Sequence, residues 1–406
     1  MPKPRIAVVS PFIDKRHGTE RNVAELIHRL AGEYEIHVYS QRVEDVDLAQ
    51  IFWHRIPALP GPHLFAYSWW FAANHLWRWG DRWLRGLVPD LVYSPGINCL
   101  DAGAITVHVL FARLLENLDE ELRFSSHPPR TWPRLLHRRL YYHLIRFLEG
   151  MVYRRPSQFL GAVSAKIAKD LAWYYNRREK VQVVYTGLDL SCFNPARRAA
   201  RRSEARAKIG LDENNFALLL IGNGWKNKGL PCLLDAAGSV QDPRLVVLVA
   251  GEDDKSPYQA AIQQHRLEGR VHFLPPRRDV EFFYAAADAY VGPSLEDSFG
   301  QPPAEAMACG LPVIVSRNAG CAEIISHGED GLVLEDPRDV DTLSEWIRWL
   351  MDGPEFCRSL AQNAVRTAQK LSWEVNAAEM KALFEQARRP VEDQRTARGE
   401  SSFEKK

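Results

Sequence analysis

The run PSLEDSFGQPPAEAMACG, residues 293–310, sets two neighbouring acids, Glu296 and Asp297, a short turn ahead of a third, Glu305. An ionised carboxylate only accepts hydrogen bonds, so acids at a pocket rim suit vicinal hydroxyls such as those of ribose or a hexose. Taken singly, each has a plainer reading: Glu305 as a first-turn acid balancing a helix dipole, Asp297 as a turn residue. Two further segments shift that balance. IGNGWKNKGL, residues 221–230, ends an apolar run in glycines and lysines just before a helical pattern, offering an anion backbone amides together with Lys226 and Lys228. In HGTER, Gly18 brings bare backbone to another helix start. Neither carries the three-glycine dinucleotide fingerprint. The joint occurrence of these segments with the acids, at strand ends in both halves, carries the reading.

Such residues need rigid elements to hold them. Residues 6–10 form a β-branched run suited to a buried parallel strand; Val23, Leu26, Ile27 and Leu30 then recur at helical spacing, and residues 35–40 read as a second strand. Residues 90–94 and 104–108 look like later strands of the same sheet. The pattern restarts near Val181 with VQVVYTGLD, after which residues 217–222, 245–251, 271–274 and 289–292 alternate with helical segments, predicting a second doubly wound domain. Ligands of such sheets bind beyond the carboxyl ends of the strands. Asp297 falls at one of those ends, and Pro302 or Pro303 can open the helix that carries Glu305. The charges of ARRAARRSEARAKIG, residues 196–210, are expected to cover a solvated helix face. Ser372 is a plausible N-cap for a last helix, with Trp373, Ala377, Met380, Phe384 and Ala387 along one stripe.

Composition narrows the classes. A length of 406 residues with 46% hydrophobic side chains favours two domains over one, and a net charge of +1 gives no global reason to expect nucleic acid. Six scattered cysteines without C-x-x-C spacing fit a reduced cytoplasmic protein with neither disulfides nor zinc. The first apolar run is too short for a signal peptide, and no run approaches the roughly 18 to 20 residues of a membrane span. Residues 64–87 nevertheless hold five of the twelve tryptophans, and residues 128–155 hold seven arginines against the single Glu149. Interleaved aromatic and basic residues on helices suit an anionic membrane interface, although aromatics packed between helices with arginines facing water would give the same composition.

With these residues laid out, the second half resembles the family 4 glycosyltransferases of the GT-B class, retaining enzymes that use nucleotide sugars. The resemblance runs through Lys228-Gly229, LVAGE, VHFLPPRRDVEFFYAAADAYVGPS, the acid segment and ACGLPVIVSRNAGCAEIISHGEDGLVLEDPRD. HGTER, VSAKIAKDL and TGLDLSCFNP match more weakly in the first half, and SWEVNAAEMKALFEQA is similar to the family's last helix. The resemblance implies an α/β fold of two Rossmann-like doubly wound domains facing across a cleft. It divides the chain into an acceptor domain (1–179), a nucleotide-sugar domain (180–371), a helix crossing back onto the first domain (372–390) and a disordered tail (391–406).

The family's acid motif reads E-x-F-G-x-x-x-x-E. Phe299-Gly300 sets the register, placing Asp297 first and Glu305 second, with Glu296 as an extra acid. The resemblance implies that Glu305 binds the ribose hydroxyls while Asp297, with the backbone amides of Phe299, Gly300 and Gln301, holds the transferred sugar. Aspartate is one methylene shorter than glutamate, so the contact falls to Asp297 or Glu296. Asn223 stands where many members carry an arginine on the diphosphate; Lys226 then supplies that charge, as in the lipopolysaccharide-core branch, and Lys228 is a diphosphate ligand. His108, closing AITVH, resembles the family's N-domain histidine near the donor sugar.

The expected reaction moves a hexose-type sugar from a nucleoside diphosphate, UDP by family expectation, to a saccharide or lipid-linked acceptor in envelope polysaccharide or lipopolysaccharide synthesis. No metal or other cofactor is expected. The expected setting is the cytoplasm, peripheral on an anionic membrane face, without nucleic acid. Rival readings are a two-carboxylate glycoside hydrolase, an epimerase or phosphorylase on the same fold, and a catalytically silent sugar-nucleotide-binding protein, kept open by Asp297 and Asn223.

Overall fold

Runs of Val, Ile, Leu and Ala such as residues 217–221 and 245–250 form interior strands, as burial on both faces requires. The computed structural model describes residues 2–16, 18–117 and 131–388. It divides into two α/β units, one of residues up to Tyr185 together with those from Asn376 on, the other of Thr186–Val375.

The first unit contains strands β1 (Arg5–Val9), β2 (Phe12–Ile13), β3 (Glu35–Ser40), β4 (Arg42–Val43), β5 (Phe52–Arg55), β6 (Leu91–Pro95), β7 (Ala104–Val107), β8 (Phe159–Ala162) and β9 (Val181–Val183). Seven of them form a parallel sheet in the order β5-β3-β1-β6-β7-β8-β9, while β2 and β4 pair apart. Its helices are α1 (Gly18–Leu30), α2 (His63–Arg85), α3 (Phe111–Asn117), α4 (Trp132–Tyr153) and α5 (Ala165–Tyr175). On α1, Val23, Leu26, Ile27 and Leu30 are buried, as their spacing predicts, with Glu20 in the first turn and Arg29 in the last to suit the helix dipole.

One expectation fails at the edge of this sheet. The run near Val181 does not open the second unit; β9 pairs parallel with β8, Leu160 opposite Val181 and Ala162 opposite Val183. Three half-buried residues carry no mark of the sheet they join.

The second unit holds β10 (Phe216–Ile221), β11 (Leu245–Ala250), β12 (Val271–Leu274), β13 (Ala289–Gly292), β14 (Val313–Ser316) and β15 (Leu332–Leu334), all parallel in the order β12-β11-β10-β13-β14-β15. Successive strands build outward from β10 on one side and from β13 on the other, so the order reverses between those two strands. That reversal is where a doubly wound sheet opens a crevice beyond its carboxyl ends. The helices are α6 (Pro195–Ile209), α7 (Leu230–Val240), α8 (Gln259–Gln264), α9 (Glu281–Ala286), α10 (Gln301–Ala308), α11 (Val340–Asp352) and α12 (Pro354–Ala368).

Helix α6 corrects a second expectation, because its arginines other than the exposed Arg197 turn onto the protein. Arg198 donates to the carbonyls of Tyr284, Ala287 and Gly310; Arg202 binds Ala287 O and Asp288; Arg206, 7% exposed, binds Ala286 O, Asp288, Asp212 O and Asn215 O. Arg201 joins Asp279 and Glu281. The charge run is a clamp on α9.

The last helix, α13 (Trp373–Arg388), is capped by Ser372, whose hydroxyl accepts from Val375 N at 3.2 Å. Ala377, Met380, Leu383 and Phe384 enter the core of the first unit beside Ile6, Val8 and Tyr93, each larger side chain contributing about 1.5–3 kcal/mol by burial. Asn376 fixes the approach by donating to Tyr185 O at 2.7 Å. The expected tail, residues 391–406, lies outside the described residues, as do residues 128–130 of the arginine-rich segment. Among the described residues, no helix is long and apolar enough to cross a membrane.

Candidate functional site

Strand β10 ends at Ile221 and the chain turns back on itself before α7 begins. Lys228 N donates to Gly224 O at 2.9 Å, and Leu230 N to Trp225 O at 3.0 Å. Gly229 closes the turn at φ +84°, and a Cβ there would stand 2.1 Å from Pro293 O, so no side chain fits without moving one of the two loops. The loop after β13 is bonded to this turn: Leu295 N donates to Asn227 O and Asn227 Nδ2 to Glu296 O, both at 2.7 Å. These bonds bring Lys228 to Asp297, Nζ to Oδ2, at 2.5 Å, with both side chains mostly enclosed.

Asp297 is fixed from its own backbone as well. Its N–H donates to Asn318 O at 3.2 Å and its carbonyl accepts from Gly320 N at 3.1 Å, a bridge to the segment after β14. Phe299 is buried, its carbonyl accepting from Cys321 N, and Gly300 precedes α10 at φ +88°. Gln301, the first residue of α10, keeps Nε2 sealed from solvent with no hydrogen-bond partner.

Glu305 is the fifth residue of α10, beyond the first turn, so it does not serve as the dipole-balancing acid of the plainer reading. It is 6% exposed and accepts from the Tyr284 hydroxyl at 2.8 Å. A carboxylate this deep needs donors around it, and Tyr284 supplies one.

The other expected residues fall in three places. Asn223 secures the neighbouring loop, its Oδ1 accepting from Glu252 N at 3.1 Å. Lys226 lies exposed on the β10 turn, and Glu296 is half-buried beside Asp297. Gly18 and His108 belong to the first unit, where Gly18 is the first residue of α1 and His108 follows β7. The His108 ring has Nε2 sealed from solvent without a hydrogen-bond partner, and burial pushes its pKa down to about 4. The imidazole is therefore neutral near neutral pH.

Sequence reading missed Tyr284, Asn227 and the arginines of α6. Tyr284 sits inside an apolar run, where an aromatic reads as core, and its partner lies 21 residues on. Asn227 was hidden between two lysines.

Comparison with known proteins follows the division into units. Residues 16–191 match the family Glycosyltransferase Family 4, and residues 201–367 match Glycosyl transferases group 1. A D-inositol 3-phosphate glycosyltransferase 2 of Catenulispora acidiphila is 33% identical over 236 residues, covering 54% of this chain and 53% of the relative. The D-inositol 3-phosphate glycosyltransferase of Rhodococcus jostii is 35% identical over 210 residues, covering 49% and 45%. The chain thus spans about half the length of the curated relatives it matches.

Solved structures with the same fold include WaaG, a glycosyltransferase involved in lipopolysaccharide biosynthesis, at TM-score 0.74 and 20% identity over 93% of this chain and 99% of that one. The sucrose-phosphate synthase of Thermosynechococcus elongatus superposes at TM-score 0.72 and 19% identity over 95% and 99%. Anabaena Alr3699/HepE, solved in complex with UDP and glucose, gives 0.68 and 18% over 94% and 99%.

Proposed function

Because the chain carries the Glycosyltransferase Family 4 and Glycosyl transferases group 1 domains on a GT-B-type α/β fold, we propose that it moves a hexose-type sugar from a nucleoside diphosphate to a saccharide or lipid-linked acceptor. One observation carries the reading. Lys228, Asp297 and Glu305 all lie past the carboxyl ends of β10 and β13, where the strand order reverses. A cation and two carboxylates at that point suit a ligand with a diphosphate at its centre and hydroxyls at both ends.

In this reading Glu305 accepts from the ribose hydroxyls, and Asp297 or Glu296 accepts from the sugar beside the amides of Phe299, Gly300 and Gln301. Lys228, with Lys226, stabilises the diphosphate as it leaves. Asn223 holds the loop that borders these groups. As the anomeric C–O bond to phosphate breaks, negative charge grows on the phosphate oxygens, and preorganised cations and amides gain most there. The acceptor oxygen bonds to the anomeric carbon on the same face, giving retention, and its proton passes to the departing phosphate. Cationic side chains rather than a metal ion meet the phosphate charge, so EDTA should leave the rate unchanged.

UDP is the proposed nucleotide, since Anabaena Alr3699/HepE, which shares the fold, was solved in complex with UDP and glucose. The cytoplasmic face of an anionic envelope membrane is the proposed setting. Thermal shift with UDP, GDP, ADP and CDP tests the donor class; no stabilisation by any of them would sink the proposal. Once a donor sugar is found, proton NMR of the product gives the anomeric configuration, and an inverted product would refute retention. An epimerase would release altered nucleotide sugar without any acceptor.

A further inference from the structure

Tyr284 does more than fill the core beneath Glu305. Its hydroxyl donates to Glu305 Oε2 at 2.8 Å, with Tyr284 fully enclosed and Glu305 6% exposed. Burial, reinforced by the neighbouring carboxylate, pushes the phenol pKa far above its ordinary value, so the hydroxyl remains a donor at any working pH. The ring packs edge-on against Phe193 at 5.7 Å between centroids.

The backbone of Tyr284 is held just as firmly. Helix α9 has six residues, too short to be stable by itself, and α6 grips its carboxyl end. Arg198 Nε donates to Tyr284 O at 3.3 Å, Arg206 Nη1 to Ala286 O at 3.1 Å, and Arg198 Nη2 and Arg202 Nη1 to Ala287 O at 2.9 Å. These are carbonyls that a helix end leaves unsatisfied. With both its ring and its backbone fixed, Tyr284 holds the carboxylate in one orientation.

We propose that Tyr284 is a positioning residue for the nucleotide: by pinning one oxygen of Glu305, it aims that carboxylate at the 2′- and 3′-hydroxyls of a nucleoside diphosphate. The inference rests on reading Glu305 as the ribose ligand. The terminal torsion of a glutamate is broad and roughly two-fold, so an untethered carboxylate must be ordered when ligand binds. A tethered one is ordered beforehand, and its charge-assisted bonds to the diol are realised in full.

The test is calorimetric titration of the full-length chain with UDP, GDP, ADP and CDP, each beside its 2′-deoxy counterpart. For the ribonucleotide that wild type binds most tightly, loss of the 2′-hydroxyl should weaken binding roughly tenfold or more. In Tyr284→Phe that preference should shrink to under about threefold, while affinity for the deoxynucleotide stays within about twofold of wild type, a sign that the fold is intact. A merely structural role would weaken both nucleotides alike. Glu305→Ala should abolish the preference.

If wild type binds none of the four, or if Glu305→Ala keeps the preference, the reading of Glu305 falls and the inference falls with it. If Tyr284→Phe keeps the preference while Glu305→Ala loses it, the inference alone is overturned. Should Tyr284→Phe not fold, Glu305→Gln decides: a tethered amide keeps its oxygen on Tyr284 and turns its nitrogen to the diol, so the preference collapses, whereas an unchanged preference refutes the tether.

Discussion

Lys228 Nζ stands 2.5 Å from Asp297 Oδ2, and the two residues come from the loops that follow neighbouring strands. Without ligand the two charges satisfy each other. In the proposed function a diphosphate would compete with the carboxylate for the ammonium, leaving the displaced carboxylate as an acceptor for sugar hydroxyls, and this one ion pair would couple the two binding events.

Lys228→Ala should lower kcat/KM by about a hundredfold to a thousandfold, the usual effect of removing one preorganised donor at a developing negative charge. Asp297→Ala should also be slow. Because the two act on each other, the double variant should lose less than the product of the single losses. Steady-state rates for the four proteins measure that coupling; strictly multiplicative losses would show two independent sites.

Gly229→Ala tests the turn that presents Lys228. The left-handed conformation costs an alanine about 1–2 kcal/mol, and its Cβ would also press on Pro293 O. A lower thermal midpoint together with a raised KM for the donor is the expected result. A variant with wild-type midpoint and KM would show that the turn tolerates a side chain.

Arg206 tests the clamp on α9. Removing it leaves Asp288 with less compensation and four carbonyls or carboxylates short of a donor, a loss of about 3–5 kcal/mol by the standard of broken buried pairs. Denaturant titration of Arg206→Ala should show that loss in the midpoint at unchanged slope. Lys208→Ala, whose pairing with Glu204 is exposed, is the control and should behave as wild type.

Much of the fold was legible because interior parallel strands must be apolar from end to end, as β10 and β11 are. The β10 and β13 loops were legible for a related reason: glycines and charged residues crowded at a strand end are hard to explain as packing. What escaped depends on distance in the chain. Most partners of Arg198, Arg202 and Arg206 lie 80 or more residues away and are mainly backbone carbonyls, which have no sequence signature. Tyr284 meets Glu305 through tertiary packing, and β9 joins its sheet by an edge that its own three residues do not specify.

Stability should vary with pH through two buried groups of opposite sign. His108 is depressed by burial from 6.5 to about 4, so its contribution is full above 6.5 and is lost as pH falls toward 4, where the unfolded chain binds a proton that the folded one excludes. Glu149 is raised from 4.5 to about 7, burial outweighing its bonds from Tyr175, Phe111 N and Ala112 N. Its contribution is full below 4.5 and is lost as pH rises through 7. Between about 4.5 and 6.5 the two slopes oppose each other, so in His108→Gln the denaturation midpoint should fall as pH rises through that window, and in Glu149→Gln it should climb. Profiles unchanged from wild type would mean that neither group titrates as described.

The tryptophan-rich segment gives the last prediction. On α2, Trp70 and Ala73 are buried, but Leu76, Trp79 and Trp83, at helical spacing, are 58%, 63% and 73% exposed, and Leu84 is 88% exposed. Core packing therefore does not account for this stripe. Arg82 and Arg85 flank it, and the one acid of the helix, Asp81, is buried against Tyr39 and His54. An apolar stripe bordered by cations fits the boundary between anionic headgroups and acyl chains, where each apolar side chain that inserts gains about 1.5–3 kcal/mol. The protein should float with phosphatidylglycerol vesicles at low salt and less so at high salt, since the cations act within a screening length. Trp83→Ala with Leu84→Ala should weaken flotation at both salt concentrations, whereas Arg82→Ala with Arg85→Ala should weaken it mainly at low salt. Absence of the wild-type protein from the floated fraction at low salt would rule out the membrane surface as its place of work.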